Sequence, residues 1–517
     1  MQKTVFLAAW AMSDEPSGMQ RSILKRANAI VSDAYKPVIV TFDFSLNYPQ
    51  IERRLKAMGL LHESVQIVNV YDEVRSTYDD GPVSAKQKEE YAAHNTKFEK
   101  DYWVEDAGHI ARYFDNGAYV KFKRWADDGK IDVIDEFDDN RVRIQRKEFH
   151  HDGFLARETV YHPANNKRTQ EHYYTKDGFC YATVWYNNDT GAQQGTYRFD
   201  CKFNTVAHFP HTKAWHIDWF EKFVNLESVR PIIIAEQPST VDRVLQMEQV
   251  EADFIFTRHT GHVSEVEPLK YTKDASFLID AISKGYPMVA SSTSQGSHLR
   301  HEIGDRGNIF IVPDYYEALP STVTRDPYRF VAVAHSRDPK LHDTETLVRA
   351  FADVYDAEKR SSLVIYGTMP KAVSKKVNAV ISERKLKKAV TFVDYTLAID
   401  DVFAGAAAQV GVCNREGQSV ATVGAMANGT PVIAYDCLFG PNEYVQHEKT
   451  GFLVEEGDVA ALTEAMLRIV QQPEEARTFG EAARAVVAEQ LTKQQYVTSW
   501  HELLDHITDH MPRKPLL

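Results

Sequence analysis

The sequence predicts an α/β chain of two open parallel-sheet domains, the first interrupted by an antiparallel β-rich insertion. Three observations lead there. Strand-length apolar runs alternate with helical stretches near both ends of the chain, which implies βαβ units. Between about 76 and 205 the pattern changes to short alternating segments rich in Tyr, Phe, Val and Thr. The length, 517 residues, exceeds a single core and suits about three domains of roughly 100–200 residues each.

The first α/β series begins with apolar runs at 5–9, 38–42 and 65–70, with a helical stretch from Gln20 to Val31 after a loop holding Pro16, Ser17 and Gly18. The insertion follows. Its candidate strands include 118–122, 142–146, 155–161, 170–174 and 181–186. Asp152-Gly153, Asn165-Asn166 and Asp177-Gly178 supply turns between them, the pattern of a meander. The α/β pattern resumes near 206, with runs at 231–235, 254–257, 287–291 and 308–313. A second α/β series starts at Phe330 and continues through 362–367, 390–395, 409–413 and 431–436. Residues 1–75 with 206–320 therefore read as the first Rossmann-like domain, 76–205 as the insertion and 321–495 as the second domain. Residues 319–329, with Pro320 and Pro327, read as the hinge. The terminal segment 496–517 reads as an amphipathic helix returning to the first domain.

Composition narrows the function classes. A hydrophobic fraction of 43% is that of a globular chain, and a net charge of −13 argues against bulk nucleic-acid binding. No run of 18 apolar residues predicts a membrane span, and the short apolar run at the N-terminus reads as a buried strand rather than a signal peptide. The cysteines, Cys180, Cys201, Cys413 and Cys437, lie far apart without a Cys-x-x-Cys pair. They read as reduced thiols of a cytoplasmic protein, neither a disulfide frame nor a zinc site.

The chemistry is concentrated in four stretches. In residues 414–436 a strand delivers Glu416 and Gly417 to a turn through Gln418 and Ser419, and a helix from Val420 follows. Such a helix N-terminus suits phosphate. Residues 334–351 contain Arg337, Lys340 and His342. Residues 257–265 carry His259 and His262 ahead of Glu265, and residues 17–26 carry Ser17 and Gly18.

Residues 330–490 resemble retaining family-4 glycosyltransferases of the GT-B fold. Text such as Phe439-Gly440-Pro441-Asn442-Glu443 and Thr450-Gly451-Phe452 adds to the likeness. That family's signature is a Glu-x7-Glu pair, in which the first carboxylate meets the donor sugar and the second the ribose hydroxyls. Glu416 takes the first place. Gly424 stands at the second, so that carboxylate is missing. The 334–351 stretch resembles the family's diphosphate clamp, with Arg337 in the Arg position and His342 where a Lys is expected. Lys340 lies two residues early. The 257–265 stretch resembles the His-x-x-His-x-Ser-Glu segment of the group that contains the accessory-secretion glycosyltransferases GtfA and GtfB and the wall-teichoic-acid enzymes TarM and TagE. There one histidine lies beside the transferred sugar, and the sequence leaves open whether His259 or His262 does so. The Ser17-Gly18 loop and the β-rich insertion resemble that group as well.

The resemblance implies bacterial glycosylation without a metal or cofactor, with a UDP-sugar as donor if the chain is active. Both Gly424 and His342 depart from the nucleotide contacts. These departures favour a GtfB-like partner subunit that stabilises a paired transferase and holds a Ser/Thr-rich protein acceptor. The alternative is an active retaining transferase moving GlcNAc or glucose to protein Ser/Thr or wall teichoic acid. Expected partners are a paralogous subunit or a second copy, through the β-rich insertion, together with the acceptor. No nucleic acid is expected, and membrane contact is at most peripheral at the inner face.

Overall fold

The computed structural model describes residues 2–78, 81–265, 269–272, 275–334, 342–394, 396–413 and 417–510. The α/β class, with two parallel sheets and an inserted antiparallel sheet, is as the sequence predicts. The first sheet has seven parallel strands. Their spatial order is Ile309–Ile311, Met288–Ala290, Asp253–Arg258, Ile232–Ala235, Lys3–Ala9, Tyr35–Thr41 and Gln66–Asn69. Lys3–Ala9 lies between two neighbours with both faces covered, which explains its unbroken apolar run. The second parallel sheet runs Val390–Val393, Ser362–Tyr366, Arg329–Val333, Ala408–Gly411, Val432–Tyr435 and Gly451–Val454. Among the described residues, no helix is long and apolar enough to cross a membrane.

The insertion forms a ten-stranded antiparallel meander in simple chain order, from Trp103–Asp106 to Thr205–Phe209. It extends slightly past the sequence boundary, because Thr205–Phe209 pairs with Gln193–Asp200. Two helices, Val70–Ser76 and Ala85–Asn95, precede it where the sequence shows only a change of pattern. Ala85–Asn95 is mostly polar and has little amphipathic signal. It is held instead by Lys123, which is fully buried and donates from Nζ to the backbone oxygens of His94 at 2.7 Å and Thr96 at 2.9 Å. Those are carbonyls that a helix end leaves without intrahelical partners.

The chain ends on helix Lys493–His510. Tyr496, Trp500, Leu503, Leu504 and Ile507 recur at helical spacing and join the first domain's core beside Val5, Leu7, Ile23 and Tyr35. Tyr35 Oη donates to Asp505 at 2.5 Å, and the Arg26 guanidinium lies 5.0 Å from the Trp500 ring. The first domain is therefore completed by residues nearly 500 positions from its first strand. Trp500 is 1% exposed. Trp500→Ala is expected to lower the stability of this domain by about 3–5 kcal/mol. Urea unfolding followed by amide exchange at strand Lys3–Ala9 measures this, and unchanged protection there would show that the helix is dispensable.

Candidate functional site

In open α/β sheets ligands bind beyond the carboxyl ends of the strands. Here those ends carry Glu236 after Ile232–Ala235, His259 after Asp253–Arg258, and Ser291 after Met288–Ala290. Across from them, the second domain presents Gly417, Gln418 and Ser419 ahead of helix Val420–Ala427. The two sides are in direct contact. A Cβ on Gly417 would lie 2.3 Å from the His259 carbonyl oxygen and 2.8 Å from Ser291 Oγ, so only glycine permits this approach.

Glu236 is the buried centre of the first-domain side. It accepts from Arg26 Nη1 at 2.9 Å, and His259 Nε2 lies against its other oxygen. His259 Nδ1 faces Asp314 at 3.7 Å, and Ser22 Oγ donates to Asp314 at 2.8 Å. Burial lowers the His259 pKa to about 4 against the pull of Asp314, with Arg26 and Lys25 adding to the fall. The ring is therefore neutral near pH 7. Ser22, Lys25 and Arg26 all belong to helix Gly18–Ile30.

Asp314 also ties the domains together. Its N–H donates to Gln418 Oε1 at 2.6 Å, and Gln418 Nε2 donates back to its carbonyl at 2.7 Å. The next residues, Tyr315 and Tyr316, are held by Lys25. Its Nζ donates to the Tyr315 carbonyl at 2.9 Å and sits 4.8 Å from the Tyr316 ring centre, and burial lowers its pKa. Tyr316 Oη donates to Asp400 at 3.1 Å. The Tyr316 ring then covers Gly424, where a Cβ would come within 2.8 Å of Tyr316 Cε2 and 3.0 Å of Phe403 Cε2.

A second bridge crosses the cleft at helix Thr293–Ile303. Its N-cap, Ser292, accepts from Gln295 N. The exposed first-turn donors are taken by Glu443 of the second domain, which accepts from Thr293 N at 2.9 Å, Ser294 N at 2.7 Å and Ser294 Oγ. His262 sits beside this bridge. It stacks on Phe439 at 5.0 Å and contacts His298 Nδ1 through Nε2 at 3.0 Å.

The residues singled out from the sequence thus fall into distinct places. His259 lies at the strand ends in the cleft, whereas the His262 ring is spent on Phe439 and His298. Gln418 is spent on Asp314. Ser419 has φ +62 and its hydroxyl donates to Thr422 Oγ1 at 2.8 Å, and Val420 begins the helix. Ser17 caps helix Gly18–Ile30 in a capping box with Gln20, which accounts for it without a ligand. A Cβ on Gly18 would meet open space, so packing does not require glycine there. His342 is half-buried and bridges Cys413 through the backbone. Arg337, Lys340 and Glu416 lie outside the described residues, as does the side chain of Glu265. The sequence reading missed Arg26, Glu236, Asp314 and Tyr316, and named Glu443 only as part of the family-like text at 439–443. Glu236 had a signal, since it is a charged residue directly after an apolar strand. Tyr316 had none.

Among the described residues, one group has metal-ligand proximity, His150, His151 and Asp152 in a hairpin of the insertion. Burial lowers the His150 pKa, and Arg75, His151, Lys176 and Lys130 lower it further, so its surroundings oppose a cation.

Two outcomes are expected. Glu443→Ala should cost about 0.5–2 kcal/mol, the range for a lost helix cap, and speed amide exchange at Thr293 and Ser294. Unchanged exchange there would exclude the bridge. Burial, His298 and Arg258 together lower the His262 pKa to about 3. The unfolded chain takes up this proton below about 6.5, so stability falls as pH drops from there towards 3, by up to about 1.4 kcal/mol per unit. His262→Gln should remove that slope from thermal unfolding measured against pH.

Comparison with known proteins fits this geometry. Residues 321–486 match the family described as glycosyl transferases group 1. The chain is 23% identical over 510 residues to the poly(ribitol-phosphate) alpha-N-acetylglucosaminyltransferase of Staphylococcus aureus (strain COL), covering 97% of this chain and 100% of the relative. A crystal structure of an S. aureus TarM mutant with Fondaparinux, alpha-GlcNAc-glycerol and UDP superposes with a TM-score of 0.81 at 21% identity, covering 98% of this chain and 100% of that one. A crystal structure of the GtfA/B complex gives 0.67 at 17% identity, over 98% and 100%. Residues 321–486 are thus a glycosyl transferase group 1 domain, and the chain has the GT-B fold.

Proposed function

We propose that this chain is a GtfB-like subunit of a glycosylation complex, which holds acceptor and supports a paired active transferase. The observation that carries this is the Tyr316 ring against Gly424. A second carboxylate of the Glu-x7-Glu pair has no room there, and Lys25 and Asp400 hold Tyr316 in place. Loss of one charged hydrogen bond to the ribose costs about 1.5–3 kcal/mol, roughly tenfold to a hundredfold in affinity. His342 in place of a diphosphate lysine acts in the same direction. The likeness to the GtfA/B complex supports a paralogous partner. The acceptor is a Ser/Thr-rich protein or, by the likeness to the poly(ribitol-phosphate) transferase, a teichoic acid. The setting is the cytoplasm, with at most peripheral contact with the membrane.

A second reading has one specific observation in its favour. The neutral His259, held by Glu236 and Asp314, is a developed arrangement at the cleft rather than a relic. With Glu416 and Arg337 it suits an active retaining transferase, without a metal, moving GlcNAc or glucose from a UDP donor to protein Ser/Thr or wall teichoic acid.

Calorimetry on the isolated chain separates the two. UDP-GlcNAc and UDP-glucose are expected to bind no better than millimolar, and micromolar binding with measurable hydrolysis overturns the subunit reading. Gly424→Glu with Tyr316→Ala should tighten UDP binding by about tenfold to a hundredfold. Gly424→Glu alone should not, since the collision remains. In co-expression, acceptor glycosylation by the paired transferase should fall when this chain is omitted.

A further inference from the structure

The inserted meander carries a cavity of 410 Å³ that the cleft does not use. Its wall includes Tyr161, Thr169, Gln170, Trp185, Asn188 and Gln194. Two β-bulges build it. Between Arg168 and Gln170 the strand gains one residue against its neighbour, and Thr169 is that residue. Between Gly195 and Gln193 the same happens opposite Trp185 and Tyr186, and the extra residue is Gln194. Bulges re-aim side chains and occur preferentially beside functional sites. Here both supply polar groups to one cavity.

Trp185, the penultimate residue of strand Cys180–Tyr186, is 46% exposed, and its ring is braced by Tyr197 at 5.1 Å. An exposed indole on a rigid sheet is a platform whose negative ring face attracts polarised C–H groups. The wall adds three carboxamides, each offering donors and an acceptor, the hydroxyls of Tyr161, Thr169 and Tyr186, and the His162 ring. The wall contains no carboxylate, ammonium or guanidinium group. An adjoining 580 Å³ cavity, which shares Tyr161 with it, is lined by Arg146, Arg157, Lys167, Arg168 and Glu171. That cavity suits charged groups, whereas the carboxamides and Trp185 suit a neutral ligand rich in hydroxyls.

We infer that the cavity bounded by Trp185, Tyr161 and the two bulge residues Thr169 and Gln194 is a binding subsite for a neutral sugar residue. The ring stacks on Trp185 while its hydroxyls bond to Gln170, Asn188 and Gln194. The subsite does not depend on whether the cleft catalyses. It would hold a sugar already attached to an acceptor, and so retain a partly glycosylated chain on the complex.

Saturation-transfer NMR on the full chain tests this, with methyl α-D-glucopyranoside and methyl N-acetyl-α-D-glucosaminide as probes and the same sugars displayed on a soluble polymer for affinity. Transfer to the ring protons is expected. Trp185→Ala should weaken binding of the polymer by about tenfold, as for a truncated aromatic anchor, and Gln194→Ala should weaken it less. His259→Ala, in the cleft, should leave it unchanged. If Trp185→Ala fails to fold, Gln194→Ala and Thr169→Val decide in its place. The inference is overturned if no transfer occurs, or if the insertion variants leave it intact while His259→Ala removes it. It is also overturned if Trp185→Ala changes the sedimentation of the chain without changing sugar binding, because the face would then be an interface between copies.

Discussion

The cleft depends on one buried pairing, the reciprocal hydrogen bonds between the Gln418 carboxamide and the Asp314 backbone. Asp314 is where the first domain's last strand passes into the linker, and Gln418 is where the second domain's turn reaches the cleft. Joining them sets three things together. The Asp314 carboxylate is placed between Ser22 and the His259 ring. The Gly417 turn is pressed onto the His259 backbone. Of the two tyrosines that follow Asp314, Tyr315 packs on Tyr496 in the first domain's core and Tyr316 is directed onto helix Val420–Ala427. An amide pair of this kind, closed on both sides and buried, leaves no polar group unsatisfied and fixes register better than apolar contact alone.

The consequence for the donor side follows from sterics. Gly424 was legible in the sequence only as a missing carboxylate. The structure gives that absence a positive cause, since the space is filled by Tyr316 and Phe403. A site that had merely lost a side chain would leave a void or water. This one is packed, and the ring that packs it is hydrogen-bonded to Asp400, which Asn428 also holds at 2.8 Å. Restoring a carboxylate therefore requires changes on two segments, a coupling typical of neighbouring residues.

The sequence revealed the frame because hydrophobic periodicity and turn residues are local. The unbroken run of Lys3–Ala9 and the Gly-Asn-Asp turns of the meander announce themselves within a few residues. The recurring Tyr496, Trp500 and Leu503 face of the last helix is legible in the same way. The site was legible only where a motif is contiguous. His259 could not be told from His262 by spacing, because their difference lies in what they meet, Glu236 in one case and Phe439 in the other. Arg26 sits 210 positions from Glu236, and Glu443 sits 150 from Thr293. Pairings at such separations leave no trace in the local pattern. Helix Ala85–Asn95 escaped for a related reason, since its anchor, Lys123, is a charged residue that pattern reasoning places outside the core.

The insertion then has a meaning beyond extending the surface. A meander joined by short turns holds its strands in rigid register, so a bulge in one strand moves a side chain without disturbing the sheet. Placing two bulges near one indole builds a polar pocket at that point of the sheet. The adjoining cavity keeps its arginines in ion pairs, such as Arg146 with Asp135 and Arg157 with Glu148, which partly neutralise it. The sheet also shares a core with the first domain, where Tyr173, Tyr181 and Tyr186 pack with Tyr71 and Trp215. A ligand held on the meander is thus held by a body continuous with the wall of the cleft, rather than by a module on a flexible tether. On the subunit reading proposed above, that rigid link would let acceptor binding on one element serve chemistry carried out on another.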